Sequence, residues 1–239
     1  MTDGFHLAWR AFHTPKAGHT VDEYEDALAG DPEHGRFAIA DGASESAFAD
    51  VWAQILVNAY VETAGPWSGW LADARKRWRS KCQERELPWY TEAKFDEGAY
   101  AALLGIAFTD RRWVAAAVGD CSMFQIRDGR LIRAFPMRSS AEFDNRPSLL
   151  GSRNRRTDQP RARRVHLRGD LKSEDIILMM TDALAQWFLK QREEGRQPWK
   201  DLKVVTNEEA FVRLVSGLRE AREMRNDDVT LVLIEPQKS

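Results

Sequence analysis

Residues 36–46, RFAIADGASES, join a short apolar run to an abrupt polar end. The apolar run predicts a buried strand, which ends at Asp41-Gly42. Apolar residues then recur at helical spacing, which predicts a helix over about 44–64 with Ser44 as its N-cap. Because no strand begins directly after Asp41, a hairpin turn does not explain this Asp-Gly pair. We therefore treat it as a candidate site.

The rest of the chain predicts strands and helices that do not alternate strictly. An alternating stretch at 5–12 predicts the first strand, and an acidic loop, VDEYEDA at 21–27, follows it. In SMFQIRDGRLIRAF, residues 122–135, Asp128-Gly129 separates two alternating runs and predicts a two-residue hairpin. This order of elements favours an α+β fold with mostly antiparallel sheets. Further strands are predicted near 100–108, 113–119, 175–182 and 229–235, and helices near 68–86, 183–194 and after Asn207.

Aspartate residues occur at the ends of several predicted strands. Asp41, Asp120 and Asp182 each follow an apolar strand, and Asp227-Asp228 directly precede the last one. In an antiparallel sheet the end of one strand lies beside the start of its neighbour, so these side chains are expected at one edge. Clustered carboxylates repel one another unless a cation neutralises them, and oxygen ligands alone favour Mg²⁺ or Mn²⁺. Two such ions activate a bridging water for attack on phosphorus, so the pattern predicts phosphoester hydrolysis.

Six motifs in order resemble those of the PP2C-type (PPM family) metal-dependent Ser/Thr protein phosphatases. The resemblance covers nearly the whole chain and implies a four-layer α/β/β/α sandwich of two mostly antiparallel sheets flanked by helices. It also implies hydrolysis of phosphoserine or phosphothreonine in proteins with two Mn²⁺ or Mg²⁺ ions. The motifs are DEYEDA (22–27), FAIADGAS (37–44), the central strands with Gly119-Asp120-Cys121, SLLGS (148–152), the strand ending at Asp182, and NDDVTLVLI (226–234).

The resemblance assigns site residues by position in this sequence. It implies that Asp41, Asp182 and Asp227 bind one metal ion. It implies that Glu25, Asp41 and the Gly42 carbonyl bind the other, with Asp41 bridging the two. By the same resemblance, Glu25, Asp41, Asp182 and Asp227 form the catalytic set, Asp26 and Asp228 are supporting acids, and Asp120 matches a residue that helps to hold a third ion in many members.

Several positions depart from the family pattern. Val21 stands where many members have the Arg that grips the substrate phosphate, and Ala43 where some have a His proposed to protonate the leaving alkoxide. Losing such a clamp or acid typically costs a factor of about 10² or more, so a modest kcat is expected. Asp228 stands where Asn is usual, so Asp227 is the preferred ligand, and Gln186 replaces another acid of the third site. The candidate substrate-binding residues are Lys16, Arg10, Arg155 and Arg156.

Composition and charge limit the classes of partner. The 239 residues carry 35 basic and 37 acidic side chains, a formal net charge of -2, which gives no general attraction to nucleic acid or to an anionic membrane. Cys82 and Cys121 are interpreted as buried, reduced thiols, and the sequence shows no signal-peptide or membrane-spanning pattern. We expect a soluble, cytoplasmic monomer. Its expected partner is a protein that a Ser/Thr kinase has phosphorylated.

No repeat or linker divides the sequence, so one domain over 1–239 is expected, with an Arg-rich, flap-like segment at about 138–168. Residues 151–168 contain seven arginines, which we interpret as a lip for an anionic substrate. The competing hypothesis is a nucleic-acid-binding module. The segment has no interleaved aromatic residues on which bases could stack, which argues against it. Two hypotheses about activity also stay open: a catalytically weak or inactive PP2C-like regulatory protein, and a phosphatase for a small phosphorylated metabolite.

Overall fold

The strands of the computed structural model form two sheets within the described residues, which are 5–63, 67–83, 95–143, 147–153 and 163–238. Every described strand pair is antiparallel. Sheet A contains β1 (Phe5–Thr14), β6 (Ser122–Arg127), β7 (Arg130–Phe135), β10 (Ile176–Met180) and β11 (Val229–Lys238), in the order β1-β11-β10-β6-β7. Sheet B contains β2 (Ala27–Asp31), β3 (Arg36–Gly42), β4 (Tyr100–Thr109), β5 (Arg112–Val118) and β9 (Val165–Asp170), in the order β2-β3-β4-β5-β9, and β8 (Leu150–Gly151) pairs with β4.

Helices cover the outer face of each sheet. On sheet B, α1 (Ala49–Glu62) and α2 (Trp67–Gln83) bury Trp52, Leu56 and Trp78 against the strands. On sheet A, the helices are α3 (Asp182–Glu193), α4 (Trp199–Lys203) and α5 (Glu208–Glu220). A third apolar cluster lies between the two sheets and includes Ile39, Leu104 and Met179. The predicted four-layer α/β/β/α sandwich is confirmed.

The central strand of sheet B shows why its sequence is apolar throughout. In β4, the residues from Ala101 to Ile106 are all buried, because helices cover one face and sheet A covers the other. A strand buried on both faces has no need of the alternation that a half-exposed strand shows. The hairpin between β6 and β7 is also confirmed, since Asp128 and Gly129 have φ values of 50° and 67°, as this turn type requires.

The helix after Asp41 begins later than its sequence predicts. The prediction placed Ser44 as the N-cap, but α1 begins at Ala49, and Phe48, with φ of 60°, precedes it. Ser44 thus lies five residues before the helix begins, and its hydroxyl donates to Glu25 Oε2. By contrast, the cap predicted for α5 is confirmed, because Asn207 Oδ1 accepts a hydrogen bond of 2.8 Å from the Ala210 N–H.

The end of the predicted flap-like segment belongs to a sheet. Residues 165–170 form β9, which pairs with β5 at the edge of sheet B. Its side chains alternate between half-buried and exposed, as expected of a strand covered on one face only. The neighbouring residues 154–162, with Arg155 and Arg156, lie outside the described residues. Among the described helices, none has the length and apolar character needed to cross a membrane.

Candidate metal centre

The predicted acidic residues come from both sheets and meet at the same end of the sandwich. In sheet A, Met180 pairs with Leu231, so the residues that follow β10 lie beside those that precede β11. In sheet B, Leu103 of β4 pairs with both Ala40 and Val118, so β3 and β5 end at the same edge. The expectation that one edge of a single sheet gathers all the carboxylates was therefore wrong. A sandwich brings together the ends of two sheets.

Three of the predicted carboxylates form a close cluster. Oxygen atoms of Asp41, Asp120 and Asp182 all lie within 4.8 Å of one another. Burial raises the pKa of Asp41 well above its ordinary value, the charges of Asp26, Asp120 and Asp227 raise it further, and Arg225 opposes them. Negative charge is therefore costly here without a cation. Asp120, predicted only for a third ion, belongs to the same cluster as Asp41 and Asp182.

Asp26 is a buried acid near the cluster and has its own hydrogen-bond network. Its Oδ2 accepts a hydrogen bond of 2.7 Å from the Thr230 hydroxyl, which also contacts the Tyr24 hydroxyl. Burial raises the pKa of Asp26 to about 8, the Thr230 hydrogen bond opposes this rise, and Asp228 adds to it. The charge of Asp26 also raises the pKa of Asp41, and its supporting role stays a prediction.

Asp227 and Asp228 have different surroundings. Both carboxylate oxygens of Asp228 accept backbone hydrogen bonds of 2.8 Å, from the N–H groups of Lys16 and Glu25, so this buried side chain joins two loops. The Asp227 side chain is 42% exposed, and its Oδ2 lies 3.5 Å from Arg225 Nε. Asp227 lies outside the 4.8 Å cluster that the described residues form, so its predicted role as a ligand stays a prediction.

Glu25 and Gly42 lie next to the cluster and contact each other. Glu25 Oε2 accepts the Ser44 hydrogen bond and lies 3.7 Å from Lys16 Nζ. Among the described residues, the cluster within 4.8 Å contains Asp41, Asp120 and Asp182 but not Glu25, so its predicted role as a ligand stays a prediction. The Gly42 N–H donates to the Glu25 carbonyl, and a Cβ on Gly42 would lie 2.7 Å from that oxygen. Gly42 thus allows this close backbone approach.

Two of the predicted phosphate-binding residues, Lys16 and Arg10, lie within the described residues, and Arg155 and Arg156 do not. Lys16 lies at the site, since its Nζ is 3.4 Å from Ser44 Oγ. Arg10 contacts the Lys203 carbonyl and Glu235, about 13 Å along β1 from the end nearest the cluster. Sequence reasoning missed Arg225, whose guanidinium pairs with Asp182 and Asp227. A lone arginine in a loop carries no pattern that reveals such a position.

The residues present fit hard divalent cations. The donors are carboxylate oxygens, which Mg²⁺ and Mn²⁺ prefer, and buried Asp182 Oδ1 has no hydrogen-bond partner in the described part of the chain. A buried acceptor without a partner is costly unless something binds it. Asp26, whose charge raises the pKa of Asp41, also lines a cavity of about 680 Å³. The other lining residues are Val21, Asp22, Tyr24, Asp50, Val51, Gln54 and Lys81.

The sandwich and the carboxylate cluster together define the class of metal-dependent protein serine/threonine phosphatases. The sequence model of the family described as Protein phosphatase 2C matches residues 20–226, and the chain belongs to this family. The resemblance stated from six motifs is confirmed. A comparison with curated proteins found no match.

Solved structures of protein phosphatases share the fold. The catalytic domain of the serine threonine protein phosphatase PstP in complex with two manganese ions has a TM-score of 0.66 at 17% identity, covering 98% of this chain and 100% of that one. PstP/Ppp of Mycobacterium tuberculosis has a TM-score of 0.63 at 17% identity, with 97% and 99% covered. Stp1 of Staphylococcus aureus has a TM-score of 0.64 at 15% identity, with 98% and 97% covered.

Proposed function

We propose that this chain hydrolyses phosphoserine and phosphothreonine in proteins with two Mn²⁺ or Mg²⁺ ions. The observation that carries this proposal is the cluster of Asp41, Asp120 and Asp182 oxygens within 4.8 Å of one another. Membership of the protein phosphatase 2C family supports a phosphorylated protein as the substrate. A protein phosphorylated by a Ser/Thr kinase is the partner that this activity requires.

The metal ligands in this proposal are Asp41, Asp182, Asp227, Glu25 and the Gly42 carbonyl. Asp120 adds a further oxygen at the cluster. When bound, two such ions neutralise the carboxylates and activate a water for attack on phosphorus. The protein's own part is to hold the ligands, and buried Asp228 does this by binding the backbone of both Lys16 and Glu25.

The surrounding residues orient the substrate. Lys16 extends its ammonium group to the edge of the cluster, where it pairs with Glu25 at 3.7 Å. We assign the phosphorylated peptide to the cavity that Tyr24 and Asp26 line. Val21 and Ala43 supply neither an Arg nor a His, so catalysis depends mainly on the metals, and a modest kcat follows.

Phosphate release tests this proposal. Chelator-treated protein is assayed on a phosphothreonine peptide and on p-nitrophenyl phosphate, with Mn²⁺, with Mg²⁺ and with excess chelator. We expect hydrolysis of both substrates that requires the metal, and a loss of about 10² or more in Asp182→Asn. Asp201→Asn, an exposed acid on α4, is the matched control and should retain wild-type activity.

Two results would contradict the proposal. Hydrolysis that continues in excess chelator would exclude a metal-dependent mechanism. Turnover of p-nitrophenyl phosphate with no turnover of any phosphopeptide would favour a small phosphorylated metabolite as the substrate. Size-exclusion chromatography of the same preparation tests the expected monomer.

A further inference from the structure

Arg225 lies among the predicted metal ligands, although no sequence motif gives it a role. Its Nη2 pairs with Asp182 Oδ2, and its Nε lies 3.5 Å from Asp227 Oδ2. Its guanidinium therefore joins an acid that follows β10 to an acid that precedes β11. About a third of its side chain, 32%, is exposed, whereas its Nε is buried.

The backbone on both sides of Arg225 is fixed. Met224 is buried in the core between α5 and sheet A. Asn226 exchanges two hydrogen bonds with the Ala17 backbone, at 2.7 and 3.2 Å. The Asp227 carbonyl accepts a hydrogen bond from Arg219. Because the chain is held before and after Arg225, its backbone has a fixed position from which the side chain reaches the carboxylates.

Other cations near the site are less suited to a phosphate group. Val21 stands where the family resemblance implies an arginine, and it carries no charge. In the described part of the chain, Lys16 pairs with Glu25, whereas Arg225 pairs with Asp182 and Asp227. A lysine ammonium is a point charge, but a planar guanidinium binds two phosphate oxygens at once.

We propose that Arg225 binds the substrate phosphate, in place of the arginine that Val21 does not supply. This inference rests on the proposed phosphatase function. A phosphate dianion that approaches several carboxylates needs cations beside them, and Arg225 is held there by its ion pairs. If bound metal ions neutralised the carboxylates, the phosphate oxygens would be the stronger acceptors for the guanidinium.

A purely structural role for Arg225 makes different expectations. If the guanidinium only neutralised Asp182 and Asp227, its removal would change the affinity for metal ions or the stability of the fold, but not the affinity for phosphate. The ion pairs of Arg225 also compete with metal ions for the same carboxylate oxygens. Under our proposal, its removal therefore leaves Mn²⁺ affinity equal or higher while it weakens phosphate binding.

Calorimetry on the full, manganese-loaded chain separates these roles, with inorganic phosphate as the probe. The variants are Arg225→Gln, Arg225→Lys and Arg222→Gln, the last being an exposed arginine in the same loop that controls for the loss of one positive charge. We expect the phosphate Kd to rise about tenfold or more in Arg225→Gln and less in Arg225→Lys. The KM for a phosphothreonine peptide should rise in parallel, and Arg222→Gln should match wild type.

A phosphate Kd in Arg225→Gln within twofold of the wild-type value would overturn the proposal, as would an equal loss in Arg222→Gln. Weakened Mn²⁺ binding in Arg225→Gln would also overturn it, because Arg225 would then position the ligands instead of the phosphate. Phosphate binding is measured without turnover, so the two proposals can fail separately. If phosphate binding depends on Arg225 but the chain hydrolyses no phosphopeptide, this inference is upheld and the proposed function is refuted. If the chain hydrolyses the phosphopeptide but Arg225→Gln leaves the phosphate affinity unchanged, the proposed function is upheld and this inference is refuted.

Discussion

Asp26 shows how one residue links stability to the site. It is 6% exposed, and its hydrogen bond from Thr230 ties β11 to the residue before β2. Burial raises the pKa of Asp26 from 3.8 to about 8, so the carboxyl holds its proton more tightly in the folded chain than in the unfolded one. Such a group favours folding while it is protonated. Its stabilising contribution is complete below the unfolded pKa and is lost as pH rises through the folded value.

The pH dependence of stability tests this assignment. With excess chelator present, we expect the thermal midpoint of the wild type to fall between pH 6 and pH 8.5, as Asp26 loses its proton at a pKa of about 8. Asp26→Asn cannot ionise, so its midpoint should fall less over the same range. Differential scanning calorimetry of both proteins measures this difference. Parallel curves for the two proteins would show that Asp26 does not titrate there.

At the scale of elements, the contact between α1 and sheet B depends on the absence of one side chain. A Cβ on Gly105 of β4 would lie 2.3 Å from the ring of Tyr60. That ring also packs edge-on against Trp70 of α2. The strand therefore has no side chain at the point where the Tyr60 ring of the covering helix contacts it.

Adding a methyl group at Gly105 should loosen this layer. Overpacking of a filled core typically costs about 1 to 3 kcal/mol, so Gly105→Ala should lower the free energy of unfolding by about that amount. Gly217→Ala is the matched control, because a Cβ there meets nothing within 4 Å. Because Gly217 lies in the interior of α5, Gly217→Ala should raise the free energy of unfolding by about 0.5 to 1 kcal/mol. Urea unfolding gives both values, and an equal effect at the two positions would contradict the packing account.

Patterns in the sequence predicted the elements with an apolar run or a clear apolar face and missed those without one. The apolar runs of β3 and β10 and the amphipathic face of α5 were confirmed, because burial on a fixed face determines these residues. β2 and β9, at the edges of sheet B, were not predicted. Their sequences, ALAGD and VHLRGD, contain Gly and charged residues, since an edge strand needs fewer apolar side chains.

At the scale of the whole molecule, Arg127 joins the two sheets. From β6 in sheet A, it donates to Asp175 with Nε and Nη2, both at 2.7 Å, and to Asp170 of β9 in sheet B with Nη1 at 2.8 Å. Asp175 is fully buried and also accepts hydrogen bonds of 2.8 Å from Gln125 and the Lys172 N–H. Arg127 is thus the ion-pair partner of the buried Asp175 carboxylate.

Removing Arg127 should destabilise the whole sandwich. Breaking a buried ion pair by removing one partner typically costs about 3 to 5 kcal/mol, because the other charge stays buried without compensation. We expect a loss of that order for Arg127→Ala in chemical unfolding. Arg130→Ala, an exposed arginine at the start of β7, should change stability by less than about 0.5 kcal/mol. Similar effects for the two variants would contradict the role of Arg127 between the sheets.

The candidate site was predictable in its residue types and less so in its arrangement. Carboxylates at strand ends, and the resemblance they supported, led to Asp41, Asp120, Asp182 and Asp227. Their origin in two sheets was not predictable, because a strand carries no signal of which sheet it joins. The position of Arg225 was not predictable either, since long-range contacts of the loop before β11 determine it.

The central claim is that the Asp41 cluster binds the metal ions on which hydrolysis depends. Titration of Mn²⁺ into chelator-treated protein, with phosphate release from a phosphothreonine peptide measured at each step, tests it most directly. We predict that the wild type gains activity as Mn²⁺ rises, and that Asp41→Asn stays folded by circular dichroism but loses activity by about 10² or more at every concentration. Wild-type rates in Asp41→Asn, or rates that do not change with Mn²⁺, would contradict the claim.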